Sequence, residues 1–175
     1  MHTPFTKRRF LTLLPMLFVG LLLVGLSGCS HPKPEQKLRV YLESPDDGKQ
    51  LNRPARQITM PITHNSYYVY ANPLIPEGDI VNVELVRVDL GLCIRLDVSR
   101  HAGVLLNSAT VSNQGSRLFL LVNDQPVGVR LIDGPIYGGQ IYMFLEVPED
   151  KLPDYLVSLK ESCKRTQDIL KAEGR

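Results

Sequence analysis

The chain has 175 residues, with 20 Lys+Arg against 18 Asp+Glu and a formal net charge of +2. Three of the basic residues (Lys7, Arg8, Arg9) fall at the very start and no acidic residue precedes Glu35, so beyond residue 28 the balance is 17 basic against 18 acidic groups. A near-neutral balance of that kind excludes a basic surface for nucleic acid and a membrane surface held by charge alone.

After the basic cluster, residues 10–26 are almost wholly apolar, with Leu21-Leu22-Leu23-Val24 at their centre. A basic n-region followed by an apolar h-region is the pattern of a secretory signal. At about 17 residues the run also sits near the lower limit for a permanent membrane helix. Leu26-Ser27-Gly28-Cys29 separates the two readings, because it resembles the bacterial lipobox, in which small residues precede a cysteine that is acylated and becomes the new N-terminus. The resemblance implies a signal peptide over 1–28, lipid on Cys29, and a membrane partner reached through that lipid. It also implies the periplasmic face of the envelope, at the outer membrane, since Ser30 stands where an aspartate would signal inner-membrane retention. Each buried methylene contributes about 0.8 kcal/mol, so two or more acyl chains hold a domain stably without a transmembrane helix.

The remaining 147 residues suffice for one domain burying roughly 68–70% of its unfolded surface. His31-Pro32-Lys33-Pro34-Glu35-Gln36 reads as the end of an extended tether over 29–36, with a single domain over 37–175. Leu38, Val40 and Leu42 alternate with Arg39, Tyr41 and Glu43 and predict a half-buried strand. Ile58, Met60 and Ile62 alternate again, and Tyr67-Tyr68-Val69-Tyr70 has strand propensity, while Pro61 and Pro73 argue against a central position. Val81, Val83 and Leu85 share one phase and Val86, Val88 and Leu90 the other, which predicts a bulge. Asp89-Leu90-Gly91 is a hairpin connection into a strand with Leu92, Ile94, Leu96 and Val98 on one face. Ser99 is the cap of a helix over 100–113 with Ala102, Leu105, Leu106 and Ala109 inward and Gly115 as its stop. Leu118 to Val122 reads as a strand buried on both faces, Asn123-Asp124 as a tight reversal, and Val127, Val129 and Leu131 as the next strand. A last strand runs from Gln140 to Val147. Asp150 is the expected cap of a final amphipathic helix over 150–173, whose stripe is Leu152, Leu156, Leu159, Cys163, Thr166 and Leu170. Lys160, Lys164, Arg165 and Lys171 then complement its dipole. A Cys93–Cys163 disulfide would close a loop of about 70 residues and contribute roughly 4 kcal/mol. Such a pairing requires the last helix on the face opposite Ile94 and Leu96.

The strand, strand, helix, strand, strand, strand order from Asp79 to Leu145 resembles the periplasmic head domain of the SecD component of the bacterial Sec translocase. The likeness is carried by Ile94-Arg95-Leu96-Asp97-Val98, Asn113-Gln114-Gly115-Ser116-Arg117-Leu118, Leu121-Val122-Asn123-Asp124-Gln125-Pro126-Val127 and Ile136-Tyr137-Gly138-Gly139-Gln140-Ile141. It covers about half of the domain. The family hairpin usually carries Asp-Gly where this chain has Asn123-Asp124, and SecD continues into membrane helices where this chain has one polar-faced helix. The resemblance implies an α+β domain, mainly antiparallel, with a crossover helix and a C-terminal helix packed on the sheet. It further implies a module that contacts exported peptides or envelope proteins.

Several catalytic patterns are absent from the mature chain: no G-x-S-x-G elbow, no Cys-x-x-Cys, and no paired histidines at helical spacing. No enzyme, metal or cofactor is therefore expected. The candidate site is a surface. In the last strand Ile141, Met143, Leu145 and Val147 point one way and Tyr142 and Phe144 the other, with Phe119 as a further candidate for the second face. If helices cover one face only, Phe119, Tyr142 and Phe144 form an exposed patch for an extended peptide or protein partner. If the N-terminal strands cover it, the same residues are core. Two further readings stay open: a small envelope enzyme built around His101, Asp97 and a serine, and a lipoprotein that only spaces the envelope.

Overall fold

The computed structural model describes residues 36–46, 53–148 and 150–174. The expected leader, Cys29 and the tether up to residue 35 lie outside the described residues. In chain order the elements are β1 (Leu38–Leu42), β2 (Ala55–Thr59), β3 (Ser66–Tyr70), a 3-10 turn at Glu77–Asp79, β4 (Ile80–Val88), β5 (Gly91–Val98), α1 (Arg100–Ser112), β6 (Arg117–Val122), β7 (Gln125–Leu131), β8 (Gln140–Leu145) and α2 (Leu152–Ala172). Six strands form one antiparallel sheet in the order β1-β6-β7-β8-β5-β4, and β2 pairs with β3 in a separate two-stranded sheet. The architecture is α+β, with the expected strand and helix order.

Two turns are fixed by local chemistry. Asn123 and Asp124 adopt φ of 51° and 65°, the left-handed conformation that matches the twist of a two-residue hairpin and that short polar side chains tolerate. The β4–β5 hairpin closes at Asp89-Leu90, with Val88 opposite Gly91. The bulge lies earlier than the alternation suggests. Register shifts between Ile80 and Asn82, which turns Val81 outward and puts Ile80, Val83 and Leu85 together against the core. Val86 and Val88 simply occupy the other face.

Ser99 caps α1, its hydroxyl accepting from the Ala102 N–H at 3.2 Å and donating to Asp79. The helix is rotated from its expected face: Ala102, Leu106 and Thr110 are buried, whereas Leu105 is 44% exposed. Thr110 takes the inner place because its hydroxyl is fully engaged, donating to the Leu106 carbonyl at 2.9 Å and accepting from the Ile136 N–H at 2.9 Å. It thereby ties the 132–139 loop to the helix. At the start of α2 the cap position is Lys151, without a side-chain cap bond, so Asp150 does not cap it; Pro153 lies in the first turn. Strand β8 ends at Leu145, two residues short of the expected Val147.

Both helices lie on one face of the sheet. Ala102 and Leu106 of α1 and Leu156, Leu159 and Cys163 of α2 share a core with Val40, Leu120, Ile94, Leu96, Ile141 and Met143. On the other face Ile58, Met60 and Val69 of the β2–β3 hairpin cover Tyr41, Phe119 and Leu121. Strand β6 is therefore buried on both faces, as its unbroken apolar run predicts. Strand β1 is too: Tyr41, expected to face water, is buried because the hairpin lies over it. Ile62, expected to continue the β2 alternation, sits exposed in the hairpin turn. Cys93 faces away from Ile94 and Leu96, whereas Cys163 packs in their core, so the sheet separates the two buried, free thiols.

Candidate binding face

Cross-strand register aligns an apolar row over four strands of the second face. Tyr41 opposes Phe119, Phe119 opposes Val129, and Val129 opposes Phe144. The hairpin covers the first half of that row. Tyr41 is latched beneath Arg56, whose guanidinium lies 4.6 Å from the ring centroid, and Tyr67 packs on Phe119 at 5.0 Å. Phe119 is consequently fully buried, while Phe144 at the other end is 40% exposed and Tyr142, on the same strand and face, 37% exposed. The expected three-residue patch is thus divided. Phe119 belongs to the core, and Tyr142 and Phe144 remain on the surface because the cover stops short of β8.

Glu146 sets where it stops. Its carboxylate accepts from the Ile62 N–H at 2.9 Å, the Thr63 N–H at 3.0 Å and the Thr63 hydroxyl at 2.8 Å. These bonds pin the hairpin tip to the end of β8. Burial acts to raise the Glu146 pKa, but the hydrogen bonds from Thr63 and Ile62 outweigh it and hold the carboxyl below its ordinary value. No local sequence signal marks Glu146 as a latch, because its partners lie more than 80 residues away.

Beyond Tyr142 the open face turns polar. Arg95 stands opposite Tyr142 and Glu84. Its guanidinium pairs with Glu84 at 2.7 Å and Asp97 at 3.0 Å, and Asn82 donates to Asp97 at 3.0 Å. The Asp97 hydrogen bond, against desolvation, holds the Arg95 pKa above its ordinary value. Two exposed aromatic rings thus border a fixed arginine and two carboxylates, a surface with both apolar and hydrogen-bonding reach.

No family model and no curated protein matches the chain. The fold is shared with SecDF. One solved structure of that protein, described as a membrane component that enhances protein export, superposes with a TM-score of 0.51 at 13% identity over 93% of this chain and 71% of its own. A second SecDF structure, in a super-membrane-facing form, gives a TM-score of 0.45 at 13% identity over 85% of this chain and 33% of its own.

The residues weighed for catalysis are not gathered. Asp97 is held by Arg95 and Asn82, the Ser99 hydroxyl is held between Asp79 and Ala102, and His101 is exposed on α1. Burial pushes the thiol pKa of both Cys93 and Cys163 up, away from the thiolate form. Among the described residues no group of three or more His, Cys, Asp or Glu is placed to hold a metal ion. Gly138 and Gly139 both have positive φ, near 70°. Gly139 also packs so closely on Gly103 that a Cβ there would lie 3.7 Å from the Gly103 Cα and 3.3 Å from Val98 Cγ2. Gly139 packs the β8 entry against α1 and Val98, whereas Gly138 meets nothing nearby and is fitted to its positive φ. A cleft of about 560 Å³ opens beside them, lined in part by Arg100, Asn107 and Tyr137.

Proposed function

We propose that this chain is a non-catalytic module of protein export or envelope assembly, held at the periplasmic side of the outer membrane by lipid on Cys29. Its open sheet face, centred on Tyr142 and Phe144, contacts an extended or unfolded polypeptide. The observation that carries this reading is the half-covered sheet. The hairpin is latched over Tyr41 and Phe119 and leaves Tyr142 and Phe144 of β8 at the uncovered end of the same face. An aromatic strip beside hydrogen-bonding groups suits a partner that presents both apolar side chains and backbone.

The SecDF-like fold supports an export setting, since SecDF is described as enhancing protein export. Attachment in this reading is by the lipid on Cys29; among the described residues no helix is long and apolar enough to cross a membrane. Non-catalytic action is favoured by the engagement of Asp97 and Ser99 in structural contacts.

The test is site-specific photo-crosslinking from positions 142 and 144 in cells carrying a translocation-arrested secretory precursor, with wild-type and Cys29→Ala chains compared. The expected result is a precursor adduct from both positions, lost when the lipid label on Cys29 is lost. Adducts absent from a folded, lipidated chain would overturn the binding face. Lipid label that persists in Cys29→Ala would overturn the anchor.

A further inference from the structure

Strand β4 is an edge of the six-stranded sheet, and among the described residues no strand pairs with its outer side. Which of its backbone groups face outward follows from the register. The Val98 N–H bonds the Gly139 carbonyl on the β8 side, so the even-numbered residues of β5 turn towards β8 and the odd-numbered ones towards β4. Across the β4–β5 register, Asn82, Glu84, Val86 and Val88 then face β5. Val83, Leu85 and Arg87 direct their N–H and C=O groups away from the sheet.

The start of this edge is closed. The Ile80 carbonyl accepts from Gln167 Nε2 at 2.9 Å and from the Cys163 thiol at 3.2 Å. Next to this closed start, one flank of α2 leaves a cleft of about 540 Å³ beside the strand, with Cys163 and Gln167 in its lining. Lys160, Lys164 and Lys171 line that cleft with Val81 and Asn82, and Asp168 is the one acidic group there. The three lysines fall at steps of four and seven, one helical flank. All are exposed, and none has an ion-pair partner among the described residues. The opposite flank of α2 is already occupied, with Ser158 and Ser162 hydrogen-bonded to Gln36. The helix dipole accounts for Lys171, in the last turn, but not for Lys160 and Lys164 in mid-helix or for the gathering of all three on one flank.

We propose that an extended, acidic polypeptide segment adds as a strand on the open part of β4, with one end reaching this cleft. Backbone groups of Val83, Leu85 and Arg87 supply the ladder, and the lysines beside Val81 and Asn82 receive carboxylates from the end of the segment that reaches the cleft. The site is separate from the Tyr142–Phe144 strip, and it stands even if that strip binds nothing.

The experiment titrates the full chain in mild detergent with a fluorescein-labelled nine-residue peptide of alternating Glu and Val, read by anisotropy and by amide exchange. Controls are the same peptide with Lys in place of Glu, a version N-methylated at alternate residues, and anionic phosphatidylglycerol vesicles. The expected results are binding of the acidic peptide and protection of the Val83, Leu85 and Arg87 amides. Affinity should fall roughly tenfold or more in Lys160→Glu/Lys164→Glu/Lys171→Glu, by the loss of three exposed ion pairs and the creation of like-charge contacts. N-methylation should abolish binding. Arg87→Pro, which removes an outward donor without touching the β5 ladder, should weaken it as well. Binding unchanged by N-methylation, protection elsewhere than β4, or no binding of the acidic peptide would overturn the proposal. Lysine-dependent binding of vesicles alone would assign the flank to a lipid surface instead. The Tyr142→Ala chain should bind this peptide as the wild type does, which separates failure here from failure of the aromatic strip.

Discussion

Truncating the aromatic residues of the second face one at a time tests the division between covered and open halves. Phe119 is fully buried between the hairpin and the sheet. A phenylalanine side chain removes roughly 150–200 Å² from water, and at about 25 cal/mol per Å² this comes to about 4 kcal/mol. Large-to-small core changes at Phe cost about 3–5 kcal/mol by the same reasoning with the cavity included. Phe119→Ala also removes the ring on which Tyr67 packs at 5.0 Å, so the hairpin has little scope to collapse into the space. Tyr142 at 37% and Phe144 at 40% exposure leave no closed cavity when truncated, and each should cost about 1 kcal/mol or less. In urea, with an m-value of about 2 kcal/mol/M for a domain of this size, the midpoint should fall by about 2 M for Phe119→Ala and by about 0.5 M for Tyr142→Ala or Phe144→Ala. Equal shifts for Phe119→Ala and Tyr142→Ala would refute the hairpin cover. A small shift for Phe119→Ala would do so as well.

The Glu146 latch makes a pH prediction. Because the folded carboxyl titrates below its ordinary value of 4.5, its contribution is complete above that value and is lost as pH falls through the lower folded pKa. Glu146→Gln should cost about 1–2 kcal/mol at neutral pH, discounted for exposure, and should flatten the acid limb of stability against pH. Amide exchange at Ile62 and Thr63 should rise in that variant; unchanged exchange would remove the latch. Gly128→Ala is the packing test: its Cβ would lie 2.8 Å from Leu145 Cδ2 and 3.2 Å from the Phe144 carbonyl. Overpacking of about 2 kcal/mol should lower Tm by about 6 °C in a thermal melt, and a Tm within a degree of wild type would show that β8 yields easily.

Much of this protein is written locally. The turn at Asn123-Asp124, the Ser99 cap, the two-sided burial of Leu118–Val122 and the inward phase of Ile141 and Met143 follow from short-range conformational and alternation rules. The sequence alone determines them because each depends on residues a few positions apart. Alternation also assigns Tyr142 and Phe144 to one face, and the cross-strand register brings Phe119 to it. It does not say what lies over that face, because a period of two distinguishes sides of a strand without identifying the layer against each. That was decided by contacts such as Glu146 with Thr63 and Tyr67 with Phe119, between segments more than 50 residues apart. The same holds for Leu105 and Thr110: helical spacing permits either as the inner residue, and the Ile136 N–H, reached only when the chain returns to α1, selects Thr110. The lysines of α2 are legible as a flank, but the unpaired strand beside them exists only in the folded sheet. Local rules thus fix what each segment is and which way its side chains point. Burial, and with it the division between core and candidate surface, depends on which distant segment arrives to cover them.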